Sequence, residues 1–400
     1  MKILKKILLV MILLIIFIYV TNVTNIPNEI ILFKGENLNL HLVFGLKIDK
    51  LSNEYDAIQT ASNISKSSAV EKETIGLKLF NIIKVKNIEV NTIPKTSVIP
   101  LGNSVGLKLY TSGVLVVGMT EVKGQKPYEN SGIEEGDMIV KINEKEVTCT
   151  AELIESVNDS NGEDLNIKYI RDGVEHTANI EPIKTNENEY KLGLWVRDGA
   201  AGIGTITYYE PSTKKYAALG HGIVDIDTNK LINISAGELV TSRISSIVKG
   251  KEGTPGEIKG SIVNGQTIGN VGMNTAFGIY GNITNTSELK VNTNNEMEVA
   301  NRDDIKTGNA KILLNLENGV RKEYDINIEK IYKNNNSNNK SMLIKVTDEE
   351  LIDLTGGIIQ RNEWSTNNTK QQIYRSCNTC FSKWSYNRIC GIWRLNDKTV

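Results

Sequence analysis

Ser131-Gly132-Ile133-Glu134-Glu135-Gly136-Asp137-Met138-Ile139-Val140-Lys141-Ile142-Asn143 sets two glycines and a short acidic turn directly ahead of an apolar run. The glycines supply the backbone conformations that a tight turn requires. Ile139, Ile142 and, just beyond, Val147 then read as strand-borne core positions. Upstream, Val105-Gly106-Leu107-Lys108-Leu109 and the run from Val114 to Val117 carry strand patterns.

Taken together, the stretch from Val105 to about Pro182 reads as a PDZ domain, bounded at 101–185. Such a domain binds an extended peptide by adding it to a sheet edge, while backbone amides at the start of the binding strand receive a terminal carboxylate. Val105, Gly106 and Leu107 are therefore the expected peptide-binding residues, with Ala151 to Asn158 as the groove helix. The expected occupant is a partner's peptide or C-terminus; the alternatives are the chain's own linker, or no ligand.

From Lys191 to Gln360 short alternating segments dominate, as in Gly204-Thr205-Ile206-Thr207-Tyr208-Tyr209 and Ala310-Lys311-Ile312-Leu313-Leu314, separated by glycine and asparagine turns. Regular short strands without helical periodicity argue for a sandwich or barrel, so the fold class is mainly β. The run from Lys333 to Lys340 reads as a solvated loop. Within this region lies Leu219-Gly220-His221-Gly222-Ile223-Val224-Asp225-Ile226-Asp227-Thr228. The chain has three histidines, and His221 stands where the backbone can bend on both sides and a substrate can approach. That makes it a candidate general base. The plainer alternative is a tight turn whose imidazole bonds a backbone carbonyl. Asp225 and Asp227 read as turn residues, and His41 and His176 as surface or strand residues.

Four ordered segments resemble the SpoIVB peptidase family, the stage IV sporulation protein B group of membrane-tethered serine endopeptidases that carry a PDZ domain. They are V-I-P-L-G-N-S-V-G-L-K-L from Val98 to Leu109, G-V-L-V-V-G from Gly113 to Gly118, the histidine motif, and V-T-D-E-E-L-I-D-L-T-G-G-I-I-Q from Val346 to Gln360. The resemblance implies a chymotrypsin-like double β-barrel over 190–360 with no cofactor. It also implies a triad in the order histidine, aspartate, serine. His221 would take the serine proton and return it to the leaving amine, while Asp348 fixes the tautomer of the ring. Asp348 also suits the cap of a short helix beginning at Leu351, which does not exclude the catalytic role. The implied activity is cleavage of a membrane-complex protein that triggers the late mother-cell sigma factor.

In that family the last segment runs into G-M-S-G-x-P, whose serine is the nucleophile. Here Arg361-Asn362-Glu363-Trp364 follows, and Glu363 occupies the nucleophile position. Codons for Gly-Met-Ser-Gly read one base early after an adenine give Arg-Asn-Glu-Trp, and Ser376-Cys377-Asn378-Thr379-Cys380 is what codons for Ala-Val-Thr-His-Val give in the same shifted frame. The tail 361–400 therefore reads as frameshifted, which also accounts for its burst of Cys377, Cys380, Cys390, Trp364, Trp384 and Trp393. Ser365 is two residues out of register, and no nucleophile is assigned. Three thiolates without a fourth ligand fall short of a closed zinc site, so no metal is expected. The polar stretch from Asn362 to Gln372 has no period-two apolar face. The tail is accordingly expected to be poorly ordered and to leave barrel edges unpaired.

At the other end, Lys2, Lys5 and Lys6 precede an uninterrupted apolar run from Ile7 to Val20 without a small-x-small cleavage site. This reads as an uncleaved anchor over 1–22, lysines inside and the remainder outside. Residues 23–100 read as an extracytoplasmic linker with some strand character, with a small packing unit as the alternative. By resemblance its location is the space between forespore and mother cell. A net charge of −1 without a basic stripe gives no grip on nucleic acid. Two functions thus stand side by side: a sporulation serine endopeptidase acting on a protein in a membrane complex, and a catalytically inactive PDZ-bearing binding protein.

Overall fold

A computed structural model describes residues 2–26, 28–38, 40, 42, 45–52, 71–251, 256–300, 305–317, 320–332, 342–357, 359–360, 367–369, 372–374 and 387–390. The N-terminal apolar run is helix α1 (Lys2–Asn25), whose large side chains are exposed along its length and which is long and apolar enough to cross a membrane. The stretch read as a linker with strand character forms a small packed unit. Strands β1 (Glu29–Phe33), β2 (Leu46–Ser52), β3 (Glu71–Leu79) and β4 (Ile83–Ile93) form a four-stranded sheet in the order β1-β4-β3-β2. Ile30, Ile75, Leu77, Ile88 and Val90 are its core. Short apolar strings separated by polar residues hid this unit in the sequence, because its core residues alternate across strands far apart in the chain.

The peptidase region is built on long strands. After β5 (Ser97–Pro100), strand β6 (Ser104–Met119) is followed by a module comprising β7 (Met138–Ile142), β8 (Lys145–Glu146), helix α2 (Thr150–Asp159), β9 (Leu165–Arg171), β10 (Val174–Ile180), β11 (Ile183–Lys184) and β12 (Tyr190–Lys191). The chain then returns through β13 (Leu194–Glu210), β14 (Lys215–Ala218), β15 (Ile234–Val248), β16 (Gly256–Thr275) and β17 (Gly278–Ile283). Hydrogen-bonded neighbours run β6-β15-β16-β17-β14-β13, and β13 pairs back onto β6, so the sheet closes into a barrel. Leu107, Leu109, Ile206, Tyr216, Leu239, Ile268 and Ile279 fill its interior. Each such side chain contributes about 1.5–3 kcal/mol by leaving water.

Strand β6 has two functions along its length. Residues 105–110 pair with both β13 and β15 inside the barrel. Residues 114–119 leave it, Val114 and Val116 joining the PDZ core with Ile139, Ile142, Val147, Leu153, Leu165 and Ile167. Between the halves the register slips, and the Thr111 hydroxyl donates to the Gly113 carbonyl at 2.5 Å. The PDZ module is therefore inserted between two barrel strands. This corrects the expected peptide site: Val105, Gly106 and Leu107 have strands on both sides, and Val105 and Leu107 are buried, so no edge remains there for a peptide. An apolar run after a turn reads alike as a barrel strand and as a binding strand.

The quoted turn is held by a buried ion pair. Asp137 is fully buried, accepts from the Glu134 N–H at 2.8 Å, and receives Arg171 in a two-pronged contact, Nε and Nη2 both at 2.7 Å. Arg171 Nη2 also donates to the Gly132 carbonyl.

Beyond β18 (Met297–Glu298), a second body consists of β19 (Gly308–Glu317), β20 (Val320–Ile331), β21 (Met342–Val346) and helix α3 (Glu349–Thr355). Its core of Ile312, Leu314, Ile326, Ile328, Ile344 and Leu351 also takes in Ile244 and Ile258 from the far ends of β15 and β16. It is an open six-stranded sheet rather than a closed second barrel among the described residues. Strand β22 (Ile359–Gln360) pairs in parallel with the start of β16. Parts of the tail also pair: β23 (Asn367–Thr369) with β19, β24 (Gln372–Tyr374) with β23, and β25 (Asn387–Cys390) with β21. The rest of 361–400, on which the expectation of poor order mostly falls, lies outside the described residues. Backbone groups make ladder bonds whatever the side-chain pattern.

Replacing Arg171 with methionine leaves Asp137 buried without its counter-ion. The expected outcome is a loss of about 3 kcal/mol in the PDZ module, read by denaturant titration and by faster amide exchange confined to residues 131–171. Unchanged exchange there would contradict the ion pair's structural role.

Candidate functional site

His221 follows strand β14 on a loop whose backbone is tightly constrained. Leu219 takes a left-handed conformation, φ 52°, and its N–H donates to the Thr205 carbonyl. At Gly222 a Cβ would lie 2.2 Å from Leu231 Cδ1 and 2.5 Å from the Thr275 carbonyl, so only glycine fits. Asn274 on β16 staples the loop: its Oδ1 accepts from the Ile223 N–H and its Nδ2 donates to the carbonyls of Ile223 and Ile232, each at 2.8 Å.

Half-buried His221 has Nδ1 at 2.7 Å from the Gly222 carbonyl. A carbonyl only accepts, so Nδ1 carries the proton. In the neutral ring Nε2 is then a lone-pair acceptor, which is the tautomer a general base requires. The turn reading and the general-base reading of this motif are thus compatible.

Asp225 organises the other side of the loop. It is 1% exposed, and its Oδ1 accepts from the N–H groups of Asp227 and Thr228 and from the Thr228 hydroxyl. Arg197 on β13 pairs with Asp225 and, through Nη2, with Asp227 at 2.8 Å. Burial alone would raise the Asp225 carboxyl. The N–H groups of Thr228 and Asp227 and the Arg197 guanidinium outweigh it and hold the carboxyl below its ordinary value. Both aspartates are turn residues, as the sequence indicated, but the ion pair to Arg197 was not foreseen; the Asp-x-Asp-Thr string was the available signal for a side chain gathering backbone amides.

Asp348 lies on the second body. Its Oδ1 accepts from the Leu351 N–H at 3.0 Å, capping α3, and its Oδ2 accepts from the Asp325 N–H at 3.3 Å. These bonds do not reach His221, so the structure does not join the two residues in a hydrogen bond. Helix α3 ends in a corner locked to β15 and β16. The Gly250 N–H donates to the Thr355 carbonyl at 2.7 Å, and a Cβ on left-handed Gly356 would meet the Gly250 carbonyl at 2.3 Å. Glu363 and Ser365 lie outside the described residues, as do His41, Cys377 and Cys380. His176 stacks on Tyr169 in the PDZ sheet, ring centroids 5.4 Å apart.

The open edge beside the PDZ helix falls on β13. From Leu194 to Thr205 this strand pairs with β6 on one side, and no strand among the described residues pairs with its other side. Helix α2 runs beside it, tied by Asp198, whose carboxylate accepts from the Thr150 N–H at 2.7 Å. A cleft of about 600 Å³ opens here, lined by Tyr110, Thr148, Cys149, Asp198 and Ala200, and Ile154 on α2 and Trp195 on β13 stand exposed beside it. Arg197 and Asp198 are adjacent. One holds the histidine loop, and the other holds the groove helix.

Residues 188–366 match the family model described as SpoIVB peptidase S55, and residues 95–181 match the PDZ domain model. The first segment of the PDZ match, through Tyr110, is barrel strand in the structure. No curated protein matches the chain. Among solved structures, the PDZ domain of an SdrC-like protein from Listeria monocytogenes is similar at 21% identity, covering 21% of this chain and 87% of that one, with a TM-score of 0.19.

Exchange of the amides of Asp225 and Ile232, which bond across the loop to Lys230 and Ile223, reports on the Arg197 contact. In Arg197→Met these amides are expected to exchange roughly thirtyfold faster, the equivalent of about 2 kcal/mol for a buried carboxylate losing its cation. The same amides should respond to pH in the unaltered chain. A carboxyl held low in the folded state stabilises fully above the unfolded value of about 4 and loses that contribution as pH falls through the lower folded value. Protection independent of pH across that acid range would contradict the assignment.

Proposed function

We propose, from the match of residues 188–366 to the SpoIVB peptidase model, that the chain is a sporulation-type serine endopeptidase scaffold in which His221 is the general base. The observation that carries this reading is the Nδ1 contact to the Gly222 carbonyl, which leaves Nε2 able to accept a proton. With a serine in the family position, Nε2 takes the hydroxyl proton as the oxygen attacks a peptide carbonyl. The imidazolium then protonates the leaving amine, and water repeats the sequence to release the acyl group. Asp348 is the proposed acid. For that role it exchanges its two backbone donors for the imidazole; until then the Gly222 carbonyl orients the ring.

The polypeptide as written supports a second reading through one residue. Glu363 in the nucleophile position has no hydroxyl to activate, and a frameshifted tail 361–400 also removes the oxyanion-hole amides of the serine loop. Loss of one triad member costs on the order of 10³-fold or more in rate. In this form the chain is a PDZ-bearing binding protein whose groove takes an extended peptide between α2 and the open edge of β13. We place it as anchored by α1 with the remainder outside, facing a protein of a membrane complex between forespore and mother cell, where the active form triggers the late mother-cell sigma factor.

A fluorophosphonate probe tests both readings. The chain as written is expected to remain unlabelled, and a version with Gly-Met-Ser-Gly restored from residue 361 onward in frame is expected to label, with His221→Ala abolishing the signal. Labelling of the chain as written that disappears in His221→Ala would overturn the inactive form. Full labelling of the restored form in His221→Ala would end the general-base assignment.

A further inference from the structure

We propose that the tip of the β3–β4 hairpin is a second membrane contact, resting on the anionic surface of the bilayer that α1 enters; this rests on reading α1 as an anchor. Hairpin tips are ordinarily polar. Here Ile82 is 82% exposed and Ile83 60% exposed, and Val85, 38% exposed, stands on a bulge just behind them. Exposed apolar side chains grouped at one projecting end mark a contact surface rather than scattered surface residues.

Behind the tip the sheet presents a row of lysines. Register pairs Lys47 with Lys78 and Lys78 with Lys84, so three ammonium groups stand on one face across three neighbouring strands. Like charges directly opposite destabilise a sheet. Asp49 bridges Lys78, while Lys47 and Lys84 are exposed and make no ion pair among the described residues. An anionic lipid surface supplies the missing counter-charge to such a row. Apolar residues ahead of lysines is the arrangement by which interfacial segments sit at the headgroup boundary.

The connectivity places that end of the sheet at the membrane. Strand β1 pairs in parallel with β4, Glu29 opposite Glu89, so the chain arriving from α1 comes from the tip's end of the sheet. Lys86 on β4 confirms the placement: its Nζ donates to the Val23 carbonyl at 3.3 Å and to the Ile26 carbonyl, at the last turn of the helix. At about 3.3 Å per strand residue, Ile83 at the start of β4 lies up to roughly 10 Å beyond Lys86 at the tip's end of the sheet, more than the depth of one headgroup layer.

The test uses the full chain in nanodiscs of phosphatidylcholine with a minority of phosphatidylglycerol. Its native cysteines are replaced by serine, and an environment-sensitive fluorophore is placed singly at Ile82→Cys, at Phe17→Cys on α1, or at Val174→Cys on the exposed PDZ hairpin. Nitroxide-bearing lipids are expected to quench the labels at 82 and 17 by about half or more and to leave the label at 174 unaffected. Removing phosphatidylglycerol, or introducing Lys47→Glu with Lys84→Glu, is expected to weaken quenching at 82 alone. Quenching at 17 with none at 82 would overturn the hairpin contact while leaving the anchor intact. No quenching at 17 would overturn the anchor itself. A response at 82 that follows protein concentration rather than lipid would assign the tip to a second copy of the chain and overturn the proposal.

Discussion

The pairing of β6 with β13 is the constraint on which the rest of the structure depends. Over residues 104–110 it closes the barrel, and over 115–119 it carries the same two strands out into the PDZ sheet. A continuous backbone ladder leaves little freedom between barrel and PDZ, because shifting one against the other breaks consecutive hydrogen bonds or slips the register by a residue and inverts every side chain. The PDZ module is accordingly an outgrowth of a barrel strand pair, and not a separate unit on a tether.

That arrangement makes β13 common to two sites. Its outer edge and α2 form the groove, and two consecutive residues divide the tasks: Asp198 anchors the helix, and Arg197 anchors Asp225 in the histidine loop. A second contact lies alongside, where a cavity of about 380 Å³ separates Leu115, Met138 and Ile170 of the PDZ module from Lys230, Leu231 and Ile232 of the same loop. Strand β13 thus carries both the open edge beside α2 and the arginine that holds the loop bearing His221.

The sequence made some of this visible and concealed the rest for identifiable reasons. The turn at Ser131–Asp137, the strands after it and the helix at Ala151–Asn158 were legible because local pattern and tertiary role agree there. The constrained loop around His221 was legible from its flanking glycines, and Gly222 is a position that no side chain can occupy. The peptide site was misread at Val105–Leu107, since strand patterning does not reveal how many neighbours a strand has. The N-terminal unit was legible only as strand character, because its register spans β1 to β4 across long separations. Arg197 was missed because its partner lies 28 positions away, beyond any local signal. Asp348 was read both as a cap and as a catalytic acid; the cap is what its hydrogen bonds describe.

The account's central claim is that the fold holds His221 in the tautomer of a general base, with a backbone carbonyl fixing Nδ1–H. Nitrogen-15 chemical shifts of the selectively labelled imidazole measure this directly at neutral pH. The account predicts that the neutral form of the ring carries its proton on Nδ1 and a lone pair on Nε2. A ring protonated chiefly at Nε2 would contradict it.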